Sequence, residues 1–207
     1  MNKSKGGEPM IDIKSLARAK RSKRRYDAVL TVEDPGTRRT LRFHRRPHPD
    51  HLVLRLEDID HHEAPLAGPD VHHVERAIEF GREHTQGKLL IHCHVGVCRS
   101  TALGLAIIAD RLGQGREDEA VRTLLASNPD AAPNLLMLEM ADGLLERNGK
   151  LVAAWNAVES ESAPLAEYRK SKAKLLKEAR HLFAPRPSRG YHPAGRCRPD
   201  SLTLTLA

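Results

Sequence analysis

Aromatic residues and cysteines are both scarce in this chain of 207 residues. Phe, Trp and Tyr together make up 3% of it, so the core must be built from aliphatic side chains. Three cysteines are too few, and odd in number, for a disulfide framework. No apolar run approaches the roughly 18 residues of a membrane-spanning helix, and no secretory signal pattern is visible. These absences argue against a disulfide-stapled secreted domain and against a membrane span, and we expect a cytoplasmic protein.

Positive charge is concentrated at the two ends of the chain. The net charge of +7 divides into +8 over residues 1–50, −6 over residues 51–150 and +5 over residues 151–207. The densest basic run, residues 20–25, is compatible with contact to nucleic acid or another anionic surface, and also with a solvated helix end. Nucleic acid therefore stays open as a partner, reached through the basic ends.

Apolar periodicity and turn signals predict strands that alternate with helices. Strands are predicted at 10–13, 26–32, 51–56 and 88–92, and helices at 15–24, 70–84, 100–112, 117–126 and 134–147. Such alternation favours a parallel sheet covered by helices. We therefore predict an α/β fold with a mostly parallel sheet of four or five strands and helices on both faces. In sheets of this kind, ligands bind at the carboxyl ends of the strands.

The chain divides into four predicted segments. We expect a flexible N-terminus over residues 1–9, the main folded domain over residues 10–158 and an exposed helix over residues 159–183. Residues 184–207 are rich in Pro, Arg and Gly over most of their length, which predicts a disordered basic tail.

Residues 92–101 have the sequence His-Cys-His-Val-Gly-Val-Cys-Arg-Ser-Thr, between a buried strand and a helix. A helix start offers backbone N–H groups and the positive end of the helix dipole to an anion. The same field favours the nucleophilic thiolate of Cys93. Gly96 permits backbone angles that turn consecutive N–H groups inward, and the planar guanidinium of Arg99 can bind two phosphate oxygens. This arrangement predicts a site for nucleophilic attack on a phosphate.

With this motif the chain resembles the cysteine-based protein tyrosine phosphatase superfamily, in particular its small dual-specificity branch. The motif there is His-Cys-x5-Arg followed by Ser or Thr, and it is matched by His92, Cys93, Gly96, Arg99 and Ser100. The resemblance covers roughly residues 50 to 150 well and the N-terminal strands loosely. It implies a phosphatase-like fold and metal-independent hydrolysis of phosphomonoesters, without a cofactor, through a phosphocysteine intermediate. The expected substrate is phosphotyrosine or phosphoserine/threonine on a protein.

The resemblance also assigns roles to the residues of the motif. Cys93 would attack phosphorus, Ser100 would help the thiolate to leave in the second step, and His92 would orient the loop. The phosphate would be bound by the loop itself, through His94, Val95, Gly96, Val97, Cys98 and Arg99. The side chain of Cys98 has two interpretations. It forms a disulfide with an oxidised Cys93, or it packs under the loop as a small apolar group.

A proton for the leaving oxygen must come from a carboxylic acid that faces the thiolate. The resemblance places this acid on an Asp some thirty residues before the cysteine, just after a strand. Asp58 and Asp60 both qualify, and we favour Asp58 because it lies closer to the strand end. Glu57 and Asp60 are then expected to be solvated or to brace the loop, and Asp70 to cap a helix. Asn134 has two interpretations, as a helix cap and as a residue that shapes the site from behind.

Other functions fit the sequence less well than a protein phosphatase. A zinc site is not expected, since the spacing of Cys93 and the neighbouring histidines (His61, His62, His72, His73, His92 and His94) matches no standard zinc pattern. The loop has no Lys and no Arg before Arg99, which makes a phosphoinositide phosphatase less favoured. An RNA 5′-phosphatase and a catalytically silent phosphate-binding module remain alternatives. The sequence predicts neither the physiological substrate nor the oligomeric state.

Overall fold

The computed structural model describes residues 10–37, 43, 50–60 and 67–178. The predicted N-terminal segment 1–9, the tail 184–207 and two of the candidate histidines, His61 and His62, lie outside the described residues. The strands are β1 (Met10–Ser15), β2 (Ala28–Glu33), β3 (Asp50–Arg55) and β4 (Lys88–Cys93), and the helices are α1 (Leu16–Ser22), α2 (Val71–Glu83), α3 (Arg99–Leu112), α4 (Glu117–Ser127), α5 (Leu135–Leu144), α6 (Lys150–Ser160) and α7 (Ala163–Glu178).

The four strands form one parallel sheet, as the alternation of strands and helices predicts. The strand order in the sheet is β1-β4-β2-β3. β4 lies in the interior of the sheet, with Cys93 opposite Ser15 of β1 and His92 opposite Thr31 of β2. Since all pairings are parallel, the carboxyl ends of the strands lie at one edge. That edge holds Cys93 at the end of β4 and the segment after β3 that begins with Leu56 and Glu57.

The alternating side chains of β4 divide the core into two layers. Leu89, Ile91 and Cys93 face the larger layer, which α2 to α6 cover and which includes the fully buried Trp155. Leu90 faces a smaller layer on the opposite side, where Ala19 of α1 and the aromatic rings of residues 26 and 43 pack. The prediction of helices on both faces is therefore confirmed, and the core is aliphatic apart from a few aromatic side chains.

Polar caps fix the helix starts that border the carboxyl edge. The Asp70 carboxylate accepts the His72 N–H at 2.9 Å at the start of α2, as expected. The Asn134 side chain accepts the Met137 N–H at 3.0 Å at the start of α5. Both caps satisfy N–H groups that have no partner within their helices.

Helix α7 begins at Ala163, later than the exposed helix predicted over residues 159–183. It has no fully buried residue, yet Tyr168, Arg169 and Lys172 are partly covered by the domain. The helix is therefore exposed over most of its surface, and one polar face contacts the domain through ion pairs of Arg169 and Lys172. Within the described ranges, none of the helices combines the length and apolar character needed to cross a membrane.

Candidate active site

The loop between β4 and α3 is braced from outside by two neighbouring segments, the start of α1 and the connection between α4 and α5. The carbonyl of His94 accepts the Leu16 N–H at 3.1 Å, that of Val97 accepts the Ala132 N–H at 2.9 Å, and that of Cys98 accepts the Asn134 N–H at 3.3 Å. In a trans peptide the N–H points opposite to the preceding carbonyl. The N–H groups that follow these carbonyls therefore point away from the bracing segments, as an anion-binding loop requires.

Gly96 allows the loop to turn and to lie against β1. Its φ is +87°, in the left-handed region that favours glycine. A Cβ at this position would lie 2.5 Å from the Ser15 backbone nitrogen and 2.6 Å from the Lys14 carbonyl carbon. The glycine is therefore required both by the backbone conformation and by the close approach of β1.

The Cys93 sulfur lies at the base of the loop within hydrogen-bond distance of two groups. The Gly96 N–H donates to Sγ at 3.2 Å, and the Ser100 hydroxyl lies 3.2 Å from it on the first turn of α3. Cys93 is 3% exposed. The sulfur is thus held between the backbone of the loop and the first turn of α3.

His92 is buried beneath the loop in a chain of polar contacts. Its Nδ1 lies 3.3 Å from the Cys93 carbonyl, and its Nε2 lies 2.9 Å from the Thr31 hydroxyl, which also lies 2.7 Å from Nε2 of His51. Since the carbonyl can only accept, Nδ1 carries the proton and Nε2 accepts from Thr31. Burial lowers the pKa of His92 to about 4, so the ring is neutral. A neutral ring in this position fixes the end of β4 and the start of the loop.

Arg99 closes the loop with a buried guanidinium. Its Nη1 donates to Asp34 Oδ1 and to the Leu56 carbonyl, both at 2.7 Å. Its Nε lies 3.8 Å from Asp58 Oδ2 and is buried without a hydrogen-bond acceptor among the described residues. One buried donor of the guanidinium is therefore not used by the described residues. Asp34, at the end of β2, was not singled out from the sequence, because no local pattern links it to Arg99.

The segment after β3 brings three carboxylates to the edge of the site. Asp58 Oδ1 accepts from Asn134 Nδ2 at 3.0 Å and from Lys172 Nζ at 2.9 Å. Asp60 lies further from Arg99 and caps α5, accepting the Leu135 N–H at 3.3 Å. Glu57 is buried rather than solvated, and its backbone N–H donates to the Ala67 carbonyl at 2.8 Å. Of the two candidate acids, Asp58 is therefore the one beside Arg99.

The electrostatic environments of Glu57 and Asp58 differ. Burial, together with repulsion from Asp34 and Asp58, raises the pKa of Glu57 to about 7. Burial acts in the same direction on Asp58, but the cations of Lys172 and Arg99 and the hydrogen bonds it accepts outweigh it and lower the pKa of Asp58. Asp58 is therefore held as a carboxylate in this structure.

Asn134 caps α5, one of its two interpretations, and also contacts the segment that carries Asp58. Its side-chain oxygen caps α5, and its amide Nδ2 donates to Asp58 and to the Ile59 carbonyl at 2.8 Å. It thus ties α5 to the segment that carries Asp58. Lys172 and Asn134 approach Asp58 from helices far along the chain, and only a three-dimensional structure shows these contacts.

The side chain of Cys98 faces helix α7. It is 4% exposed, and its Sγ lies 2.6 Å from the Tyr168 hydroxyl of α7. Burial, with the negative charge of Asp58 nearby, raises the pKa of Cys98 to about 12. A thiol that stays protonated is a poor partner for thiol–disulfide exchange, which favours the packed interpretation of Cys98.

No protein-family model matches the chain, and no curated protein matches it significantly in sequence. Solved structures do match it in fold. Tk-PTP in its active form has a TM-score of 0.50 at 20% identity, over 68% of this chain and 93% of that chain. Human DUSP28 matches with a TM-score of 0.49 and 17% identity, over 74% of this chain and 96% of that chain. The Yvh1 phosphatase domain from Chaetomium thermophilum has a TM-score of 0.47 and 19% identity, over 70% and 95%. The likeness to Tk-PTP confirms the predicted phosphatase-like α/β fold.

Proposed function

We propose that this protein is a cysteine-dependent phosphatase that hydrolyses phosphomonoesters without a metal ion, with phosphotyrosine or phosphoserine/threonine on proteins as its substrate class. The observation that carries the proposal is the position of the Cys93 sulfur. It accepts the Gly96 N–H at 3.2 Å inside a loop whose carbonyls are bonded outward. The buried Nε of Arg99, which lacks an acceptor among the described residues, supports an anion site at the same place.

In the first step the Cys93 thiolate attacks phosphorus, the S–P bond forms and the ester P–O bond breaks. The loop N–H groups and the Arg99 guanidinium hold the equatorial oxygens as charge shifts during the transfer. Asp58 in its protonated form donates a proton to the leaving oxygen. The products of this step are the free alcohol or phenol and a phosphocysteine.

In the second step water attacks the phosphocysteine, the P–O bond to water forms and the S–P bond breaks. Asp58, now ionised, accepts the proton of the attacking water. The Ser100 hydroxyl, 3.2 Å from the sulfur, stabilises the returning thiolate by donating a hydrogen bond. The cycle releases inorganic phosphate and restores both residues, so it needs no cofactor.

The test is hydrolysis of an aryl phosphate with chelator and reductant present, followed by a panel of phosphotyrosine, phosphoserine and phosphothreonine peptides and a 5′-phosphorylated RNA. We expect turnover in the presence of chelator and release of phosphate from at least one class of phosphopeptide. A protein that binds phosphate esters but turns over none of them would instead be a silent phosphate-binding module. Release of phosphate from the RNA alone would replace the proposed substrate class.

A further inference from the structure

Helix α7 contacts the candidate site with one face. Tyr168 and Arg169 lie on the same side of the helix as Lys172, since Lys172 is four positions after Tyr168 and three after Arg169. The Tyr168 hydroxyl meets Cys98 of the loop at 2.6 Å, and Arg169 donates to the Pro133 carbonyl just before α5 at 2.8 Å. Arg169 also forms an ion pair of 2.8 Å with Glu159 of α6. The helix is thus anchored on three segments around Asp58.

Lys172 makes the most direct contact with the acid segment. Its Nζ lies 2.9 Å from Asp58 Oδ1 and 2.9 Å from Asp60 Oδ2, and its side chain is only 9% exposed. A buried ammonium with two carboxylate partners is fixed in position, unlike a mobile surface lysine. Its attraction for Asp58 is weakly screened by solvent because the pair is covered.

Charged and titratable groups approach Asp58 from each element packed around it. The two cations are Lys172 from α7 and Arg99 from the loop, the latter at 3.8 Å from Oδ2. The acidic groups in the neighbourhood are Asp60 and Glu57 on the same segment and Asp34 just after β2. The other titratable groups nearby are the Cys98 thiol, the Tyr168 phenol and the Arg169 guanidinium. Arg99 is shared with Asp34, which leaves Lys172 as the cation within hydrogen-bond distance of Asp58 among the described residues.

We propose that Lys172 is a positioning residue of the active site, which fixes the orientation and the charge of Asp58 so that helix α7 sets the pH range of the acid-catalysed step. The proposal rests on the proposed phosphatase function for its catalytic consequence. When Lys172 stabilises the carboxylate, it favours the base role of Asp58 in the second step and opposes the acid role in the first. When a phosphate dianion binds to Arg99, Lys172 is the cation that still pairs with Asp58.

The sign of the effect follows from the acid role. The form that donates a proton is the protonated one, so the rate falls as pH rises through the pKa of Asp58. Lys172 lowers the pKa of Asp58, and its removal raises it. The alkaline limb of the kcat/KM profile should therefore move to higher pH by about 1 pH unit or more when the ammonium is lost, as for a carboxylate that loses a close cation.

The experiment compares Lys172→Met with Lys172→Arg, which keeps the charge, and with Lys174→Met on the exposed side of the same helix. Lys174 is 74% exposed and is 4.0 Å from Glu178, so its loss controls for the general effect of removing a lysine. kcat/KM is measured against pH with an alkyl phosphate, whose leaving group needs a proton. We expect the alkaline limb to shift in Lys172→Met and to stay in place in the other two variants.

A second readout does not require turnover. The chain is labelled with carbon-13 aspartate, the Asp58 carboxyl signal is assigned with Asp58→Asn, and its titration is followed in each protein. We expect a higher Asp58 pKa in Lys172→Met than in wild type, Lys172→Arg or Lys174→Met. Lys172→Gln, which keeps a hydrogen-bond donor without the charge, is used in the same way if Lys172→Met does not fold, as judged by circular dichroism.

The outcomes separate the two proposals. An Asp58 titration that is the same in wild type and in the uncharged variant overturns the role of Lys172, whatever the enzyme hydrolyses. A shifted titration in a protein without turnover on any phosphate ester supports the Lys172 contact and overturns the proposed function. A lower rate in Lys172→Met with an unmoved alkaline limb and an unmoved titration would show a structural role only.

Discussion

The two sides of the candidate site are assembled in different ways. On the nucleophile side, the contacts of Cys93 come from three and seven positions along the chain, and the loop is held through backbone groups. On the acid side, Asp58 is held by side chains 76 and 114 positions away. The sulfur is therefore contacted by groups of its own loop and of the helix that follows it, whereas the acid is held by side chains of distant segments. Asn134 joins the two sides, because its backbone N–H donates to the Cys98 carbonyl and its side chain donates to Asp58.

The largest effect is expected from Cys93→Ser, which removes the centre of the nucleophile side. A hydroxyl has a much higher pKa than a thiol and is not ionised by the same loop, so turnover should be abolished. The loop N–H groups and Arg99 remain, so binding of a phosphate ester should be retained. Release of phosphate and binding of a phosphopeptide are measured on the same preparation.

Substantial turnover by Cys93→Ser would show that the nucleophile lies elsewhere. The matched control is Cys98→Ser, five positions further on, whose thiol faces Tyr168 and takes no part in the proposed chemistry. It should keep most of the activity of the wild type.

Asp58→Asn should remove the chemistry of the acid side while leaving the sulfur intact. Hydrolysis of an ester with a poor leaving group should slow by on the order of 10²–10⁴, the usual contribution of general acid catalysis. An aryl ester with an acidic leaving group should be affected less, because it needs no proton. The alkaline limb of the pH–rate profile should flatten, since it reports loss of the proton from Asp58.

Asp60→Asn is the natural comparison, because Asp60 shares Lys172 with Asp58 but caps α5. It should not show the dependence on leaving group. If Asp60→Asn shows that dependence and Asp58→Asn does not, the acid is Asp60 and the rest of the mechanism stands.

Gly96→Ala tests the nucleophile side through its backbone. The added Cβ would approach β1 to 2.5 Å at a φ of +87°, so the loop must shift. Displacement of the phosphate-binding groups by about 1 Å can cost on the order of 10² in kcat/KM. Gly113→Ala has nearly the same φ, +88°, but a Cβ there meets no atom within 4 Å. It should lower the melting temperature and leave kcat/KM unchanged; equal losses of activity in both variants would contradict the steric explanation.

The smallest effect is expected from the thiol of Cys98. With its pKa raised to about 12 by burial, it should resist alkylation at neutral pH while Cys93 is modified by iodoacetamide. Peptide mapping after mild peroxide should show no Cys93–Cys98 disulfide. Such a disulfide in the wild type would mean that α7 leaves the loop often enough to free Cys98.

The difference between the two sides also explains what the sequence could predict. The strand ends, the loop and the cap on α2 depend on residues close together in the chain, so local patterns were sufficient to predict the position of Cys93 between β4 and α3 and the Asp70 cap. Asp58 was reached only through the family resemblance, and its preference over Asp60 remains a prediction. Asp34 and Lys172 were missed because each is an ordinary surface-type residue in its own segment. Their partners are 65 and 114 positions away, and no periodicity connects them.

The single tryptophan of the chain is placed to report on helix α7. Trp155 is fully buried in α6, and its indole N–H donates to Glu159 Oε2, the carboxylate that also pairs with Arg169 of α7. If α7 detaches from the domain, Glu159 loses its ion pair with Arg169. The electric field at the indole ring of Trp155 then changes. The emission wavelength of the native protein is thus an optical signal of helix docking, available without any label.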